Sequence, residues 1–482
     1  MTRIGLHKSI KYKISIVILS SMLLTGCASN AMENVAATVY DAVNKEDVAE
    51  DNKPSLDLNF AEKNAVSSKN NEDGNTVNSI EVEKEDSSNN RSADNGIAVY
   101  GTDGDLLETE IAVIDEDEEA YNDGTQIVAA DLPEARDESL YVDCYAYSRL
   151  DNNLKRDYRE IYAVITNMLS DAILTSKDTK DIDLAFKCMM VDHPEVFYVK
   201  GYSLGKYIYG TTIDRISLTG TYTYTKGEVG IKNQEIEAYI TNVIYGAPLG
   251  DDYDKIKYVY DYLIRNNVYE ENSPDNQNIL SVVENGRTVC QGYAKMTQLL
   301  LHRMGIFCTL VNGMASGSNG VGGGNTSDWG SHVWNIVKCN GRYYNVDTTW
   351  GDAAFTLVDE ETGYAPTIEI NYEFLLVNDA TLKGTHRPKP VVTMPVCDSL
   401  NDNYYVHDGR YFNGVDENQL EAVFDSSYSK GEDLVFLKCA DMNVYKQLKD
   451  YLIDSQNIFK YVSGDNIKYV EYPERRLLLI SM

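Results

Sequence analysis

Long apolar runs are scarce in this sequence. The longest near the start, Ile14 to Leu24, is too short to span a bilayer as a stable anchor, which argues against a polytopic membrane protein. Clustered lysine and arginine are missing too: 43 basic side chains stand against 75 acidic ones, so no surface is suited to neutralising a run of phosphates and no nucleic-acid partner is expected. The eight cysteines include no C-x-x-C pair and no closely repeated spacing, which argues against a disulfide framework. The glycine-rich stretch from Ala315 to Asn325 lacks the Gly-Lys-Ser/Thr of a phosphate loop. Asp103-Gly104-Asp105 lacks the remaining ligand spacing of an EF-hand loop and reads as solvated charge. The expectation is of no metal and no cofactor.

What is present is acidity, unevenly spread. The formal charge is -32 over 482 residues, and residues 28–135 alone hold 27 acidic against 6 basic side chains. Rich in Asn, Ser, Asp and Glu, that stretch buries too little apolar surface to offset its ordering entropy, and it reads as a disordered tether extended by self-repulsion. Ahead of it, Arg3, Lys8, Lys11 and Lys13 followed by the apolar run read as an export signal. The run ends in Leu24-Thr25-Gly26-Cys27, which resembles the lipobox of bacterial lipoproteins. That resemblance implies acyl chains on Cys27 and a protein held by a membrane through them, at the outer face of the bacterial cell membrane with its folded part extracellular.

With 43% hydrophobic residues, the rest can support two or three folded units. Order is expected from about Arg136. Leu154, Tyr158, Ile161, Ile165, Met168, Leu169 and Ile173 recur at helical steps, and Tyr, Ile and Thr alternate between Val196 and Val229 as in two or three antiparallel strands. Helices are expected near Glu235–Ile244 and around Ile256, Val259, Tyr260, Leu263 and Ile264. From about Val396 the pattern reads strand (Tyr404-Tyr405-Val406), strand (433–437), helix (444–453), strand (467–472). The expected organisation is a signal at 1–27, the tether at 28–135, an N-terminal α+β region at 136–245, a core at 246–390 and a small α+β accessory domain at 391–482. Cys308 and Cys339, in apolar strand-like surroundings, read as buried inert thiols.

Chemistry concentrates in the middle of the chain. Cys290 precedes Tyr293, Leu300, Leu301 and Met304, the apolar positions of a helix ending at Gly305. In its first turn a thiol meets the positive end of the helix dipole, and the backbone N–H of Cys290 can hold an oxyanion. Ser331 to Lys338 alternates like a strand, and Asn340-Gly341 is a strong hairpin signal. If that turn closes with Cys339 facing Arg342, Trp334 lies opposite Asp347. His332 and Asp347 then share a face as diagonal neighbours with Cβ atoms roughly 7 Å apart or less. A Cys nucleophile, a His to shuttle its proton and an Asp to orient the His are the parts of acyl transfer from an amide or ester. Trp329, Trp334 and Gln291 are candidates to line the cleft, and the glycine-rich stretch to form either a mobile flap or a plain connection.

Val289-Cys290-Gln291-Gly292-Tyr293-Ala294, His332-Val333-Trp334-Asn335 and Asn345-Val346-Asp347-Thr348-Thr349-Trp350 resemble the three motifs of the bacterial transglutaminase-like superfamily, over about residues 245–390, including a Tyr372-to-Pro388 tail. The resemblance implies an α+β, papain-like core in which a Cys-bearing helix packs on an antiparallel sheet, and a triad of Cys290, His332 and Asp347. The acidic calcium loops and extra β-domains of animal transglutaminases have no counterpart here. The reading is therefore a cell-surface thiol acyl-transfer enzyme hydrolysing a peptide or amide bond, with a protein or peptide substrate that could include cell-wall peptide. The alternatives are a cross-linking transglutaminase with an amine acceptor, and a non-catalytic adhesion or scaffold module.

Overall fold

The computed structural model describes residues 96–101, 106–115, 126–209, 211–316, 329–352, 355–356, 367–464 and 466–482. The export signal, Cys27, most of the acidic stretch and most of the glycine-rich segment lie outside the described residues. No helix among the described residues is long and apolar enough to cross a membrane.

Part of the stretch expected to be a tether is paired strand, which corrects that expectation at its C-terminal end. Strands β1 (Gly96–Gly101) and β2 (Leu106–Asp115) pair antiparallel, and β2 runs parallel to a later strand with Val113 beside Lys206. The physical reason is local: Leu-Leu-Glu-Thr-Glu-Ile-Ala-Val-Ile carries enough β-forming residues to pair although the segment around it is acidic.

Helix α1 (Asn152–Thr166) starts where the Asp151 carboxylate accepts the N–H groups of Asn153 and Leu154. It stops earlier than its apolar stripe suggests, because Met168 takes a left-handed φ of 54°. Ile173 consequently belongs to strand β3 (Ala172–Leu174). Helix α2 (Thr179–Asp192) follows, capped by Asp178, then the hairpin of β4 (Val199–Tyr209) and β5 (Thr212–Tyr222), which pairs antiparallel as its alternation predicts. The five strands lie in the order β1-β2-β4-β5-β3.

Helices α3 (Lys226–Tyr245) and α4 (Asp252–Asn266) lead to α5 (Cys290–Arg303), the helix expected to follow Cys290. Ten consecutive residues of α5, Gly292 to Leu301, are buried, so this helix is enclosed on every side. It packs on a four-stranded sheet of β6 (Cys308–Ala315), β7 (Gly330–Cys339), β8 (Arg342–Val346) and β9 (His386–Pro388), in the order β8-β7-β6-β9 with every pairing antiparallel. This α5-on-sheet arrangement is the α+β, papain-like core that the motifs imply. Tyr158, Phe186, Tyr260, Tyr293 and Leu300 are fully buried in one core that runs from the N-terminal helices through α5.

Past residue 400 the pattern differs from expectation. Tyr404–His407 is a helical turn rather than a strand, because Asn403 caps it through the Tyr405 N–H and Tyr404 stacks on Tyr372 with ring centroids 3.8 Å apart. Strand β10 (Tyr411–Phe412), helix α6 (Glu417–Lys430), strand β11 (Leu434–Cys439), helix α7 (Met442–Lys449), β12 (Lys468–Tyr472) and β13 (Leu477–Ser481) complete the chain. They form an α+β layer in the order β10-β11-β13-β12 around a second core of Phe412, Phe424, Leu437 and Leu448.

Candidate active site

Two tight fits set the position of Cys290. Val289 precedes helix α5 and offers it no capping side chain, and Gly292 lies against Thr288, where an added Cβ would come within 1.8 Å of the Thr288 hydroxyl oxygen. That hydroxyl is itself committed: it accepts from Ser281 at 2.6 Å and donates to the Asn276 carbonyl at 3.0 Å. Only glycine at the third position of the helix lets the backbone seat there. Further along, Asn335 on β7 donates to the Ala294 carbonyl at 3.0 Å, and the Thr297 and Thr348 hydroxyls meet at 3.0 Å. The helix that carries the sulfur is thus pinned to the hairpin that carries the other groups.

The hairpin has the register expected from its Asn340-Gly341 turn. Arg342 faces Cys339, and Val346 faces Asn335 at the end of the ladder. Asp347 follows and caps a short helical turn, Thr348–Gly351, accepting the Trp350 N–H on Oδ1 at 3.1 Å. Its other oxygen, Oδ2, accepts from His332 Nε2 at 2.7 Å. His332 and Asp347 are buried, while Cys290 is half-exposed. With Nε2–H committed to the carboxylate, Nδ1 is the nitrogen left to face the Cys290 sulfur, which lies near enough to act on the charge of the ring.

Burial by itself would make His332 harder to protonate. The Asp347 carboxylate and the Cys290 sulfur outweigh it and hold the imidazole well above its ordinary value of 6.5. Asp347 moves the opposite way: burial would raise it, but His332 and a second histidine hold it well below the usual carboxylate range.

That second histidine is His386 on β9, which sequence reasoning missed. Its Nε2 lies 2.9 Å from the same Asp347 Oδ2. The ionised carboxylate can only accept, so His386 carries its proton on Nε2. Its Nδ1 then accepts from the Thr385 hydroxyl at 2.8 Å. Burial keeps this ring neutral, with its pKa below the usual value despite Asp347. No local motif surrounds His386; the available signal was rarity, since only six histidines occur in the chain and this one falls in the Tyr372-to-Pro388 tail.

Trp334 does not line a cleft, contrary to expectation. It is 1% exposed, lies nearly parallel to the His332 ring, and donates from Nε1 to Asn345 Oδ1 at 3.0 Å. Space for it comes from Gly313 on β6, where a Cβ would meet the indole at 2.7 Å and the Arg387 carbonyl at 2.5 Å. Trp329 is half-exposed under the Arg387 guanidinium, whose carbon sits 3.6 Å from the ring centre. Gln291, next to Cys290 in the first turn, is also half-exposed.

His332, Asp347 and His386 bring two imidazole nitrogens and a carboxylate oxygen within 4.8 Å of one another, a donor set that a transition-metal ion could use. Hydrogen bonds of 2.7 and 2.9 Å to one oxygen already account for all three, so no metal is needed to hold them together. What the arrangement can do is move a proton from a sulfur to an imidazole braced by a carboxylate, the working parts of a thiol-dependent acyl-transfer enzyme.

Residues 244–348 match the family model of the transglutaminase-like superfamily, so the chain carries a transglutaminase-like domain, the domain of a thiol-dependent enzyme family. Over 107 residues it is 31% identical to the kyphoscoliosis peptidase of Mus musculus and, equally, to that of Homo sapiens. The match covers 22% of this chain and 16% of each relative, so the chain spans only a small part of the curated relatives it matches. A crystal structure of a TGase aligns at 15% identity with a TM-score of 0.21, over 30% of this chain and 44% of that one.

Proposed function

We propose that this protein hydrolyses a peptide or amide bond through a thioester on Cys290. The supporting observation is the placement of His332, hydrogen-bonded through Nε2 to Asp347 and so leaving Nδ1 for the nearby Cys290 sulfur. In the proposed cycle His332 Nδ1 takes the thiol proton, and Sγ attacks the substrate carbonyl. The backbone N–H of Cys290, at the head of α5, faces the developing oxyanion. Collapse expels the amine, which takes its proton from the His332 imidazolium and leaves a thioester. Water, deprotonated by the same imidazole, then frees the acid. The role of Asp347 is to fix the ring so that Nδ1 faces sulfur and to stabilise the imidazolium formed at each step.

A peptide substrate is favoured by the names of the two curated relatives, both peptidases. Attachment through acylated Cys27 and action at the outer face of the bacterial membrane complete the reading. The decisive measurement is product analysis on peptide substrates with a labelled primary amine present. Release of free acid, abolished in Cys290→Ala, is expected; amine incorporation without hydrolysis would replace this reading with transamidation. Metabolic labelling with an alkyne fatty acid, lost in Cys27→Ser, tests the anchor.

A further inference from the structure

Seven cysteines lie among the described residues. Five are buried, and burial pushes their thiols up, Cys188 and Cys439 to about 12. The remaining two, Cys290 and Cys144, are half-exposed, and each faces a histidine. We propose that Cys144, His193 and Glu195 form a second reactive-thiol centre, a modification site at which the Cys144 sulfur is oxidised by small hydroperoxides.

The cluster repeats the logic of the active site with the ring turned round. Cys144 Sγ lies 3.8 Å from His193 Nε2, and His193 Nδ1 lies 2.7 Å from Glu195 Oε1. Glu195 therefore accepts the hydrogen bond from Nδ1–H and leaves Nε2 directed at the sulfur. The His193 side chain is only 8% exposed, packed against Tyr162 with ring centroids 4.3 Å apart and against Tyr158 at 5.9 Å. One carboxylate sets both partners. Asp192, the last residue of α2 and the neighbour of His193, accepts the N–H groups of Ala146 and Tyr147 at 2.9 Å each, just past Cys144. Tyr158 donates to the same carboxylate at 3.1 Å.

The charged groups that act on the ring are Glu195, Asp192 and His302; around them, Asp143 acts on His302, and Glu134 and Arg159 act on the neighbouring Tyr141. Burial opposes the imidazolium, but Glu195 and Cys144 hold His193 well above its ordinary value. His302 is in the last turn of α5, so this cluster borders the far end of that helix, about 18 Å along its axis from Cys290.

The local geometry also limits the chemistry. The Ala146 and Tyr147 N–H groups, which could otherwise hold an oxyanion, are taken by Asp192, so acyl transfer is disfavoured. A hydroperoxide needs no such donors. The Cys144 thiol gives its proton to His193 Nε2, the sulfur attacks one peroxide oxygen, forming an S–O bond as the O–O bond breaks, and the leaving oxygen takes that proton back from Nε2 and departs as water or alcohol. The products are a sulfenic acid at Cys144, oxidised by two electrons, and neutral His193.

The test uses the full chain carrying Cys290→Ala, treated at about pH 6 with hydrogen peroxide and a sulfenic-acid trap and read peptide by peptide in a mass spectrometer. Trapping at Cys144 is expected to be about tenfold faster than in the same chain with His193→Gln, with Glu195→Gln in between. Should His193→Gln fail to fold, the Glu195→Gln variant, altered at a half-exposed carboxylate, decides by itself. Equal rates in the parent and Glu195→Gln, or trapping at Cys144 no faster than at the buried cysteines, would overturn the proposal. In a chain that keeps Cys290, Cys144→Ser should lose the trapped adduct and retain any hydrolytic activity, which separates this centre from the one proposed above.

Discussion

Asp347 accepts three N–H groups, from His332, His386 and Trp350, and two of these come from rings that must hold different protonation states. His332 is held up and His386 is held down, so only His332 is available to exchange a proton with sulfur. Replacing Asp347 by Asn puts a donor where an acceptor is needed, and kcat should fall by about 10³ to 10⁴ with the fold retained. The pH dependence has a definite sign. His332 binds its proton more tightly folded than unfolded, so the pair's stabilisation is complete below the ordinary value of 6.5 and fades as pH rises through the raised folded value. Asp347, depressed on folding, contributes above 3.8 and loses that contribution as acid protonates it in the folded chain. Melting curves of the parent and Asp347→Asn across pH should therefore diverge in the neutral window and converge at both extremes. His386→Gln tests the other ring: as a positioning residue it should lower kcat about 10- to 100-fold and leave KM nearly unchanged, whereas a purely architectural role would lower Tm without that split. The first three site residues were legible because each sits in a local pattern; His386 was not, because its partner lies 39 positions away and only the β6–β9 pairing brings them together.

At the scale of elements, the site depends on how closely the first turn of α5 approaches Thr288. Gly292→Ala forces a methyl group into a hydroxyl that is already bonded twice. Overpacking of this kind costs about 1–3 kcal/mol, and here the strain falls two residues from the sulfur. Urea denaturation should show that loss. Alkylation of Cys290 by iodoacetamide should slow in the variant while alkylation of Cys144 stays unchanged; equal slowing at both would mean general loosening. The hairpin was readable from Asn340-Gly341 because a two-residue turn fixes the register of everything behind it. Other elements were harder to read. The apolar stripe of α1 runs beyond its helix because the chain turns left-handed at Met168 without changing its apolar character. Helix α6 carries Leu420, Val423 and Phe424 on one face, but Ser427 occupies the next buried position and shortens the stripe that would reveal it.

For the whole molecule, the C-terminal layer is joined to the transglutaminase-like core by a buried ion pair. Lys438 on β11 donates to both oxygens of Glu373, at 2.8 and 2.7 Å, and to the Arg475 carbonyl at 2.8 Å; the two side chains are 8% and 11% exposed. Nothing in the sequence marks this pair, since 65 residues separate two ordinary charges and neither belongs to a motif. Its position gives it leverage on the site. Phe374, the next residue, accepts the Asp347 N–H on its carbonyl at 3.0 Å and packs its ring on Trp350 at 5.0 Å. Glu373→Gln leaves a buried ammonium without its counter-charge and should destabilise the chain by about 3–5 kcal/mol. The double variant Glu373→Gln with Lys438→Met removes the stranded charge as well, so it should recover a large part of that loss. Hydrolysis separates two possible roles for the pair. If it only joins the layers, activity at a temperature where every variant is folded should be the same in all of them. If it also steadies the Asp347 turn, kcat should drop in Glu373→Gln and return in part in the double variant, in step with stability; the bond between Phe374 and Asp347 makes the second outcome the expected one.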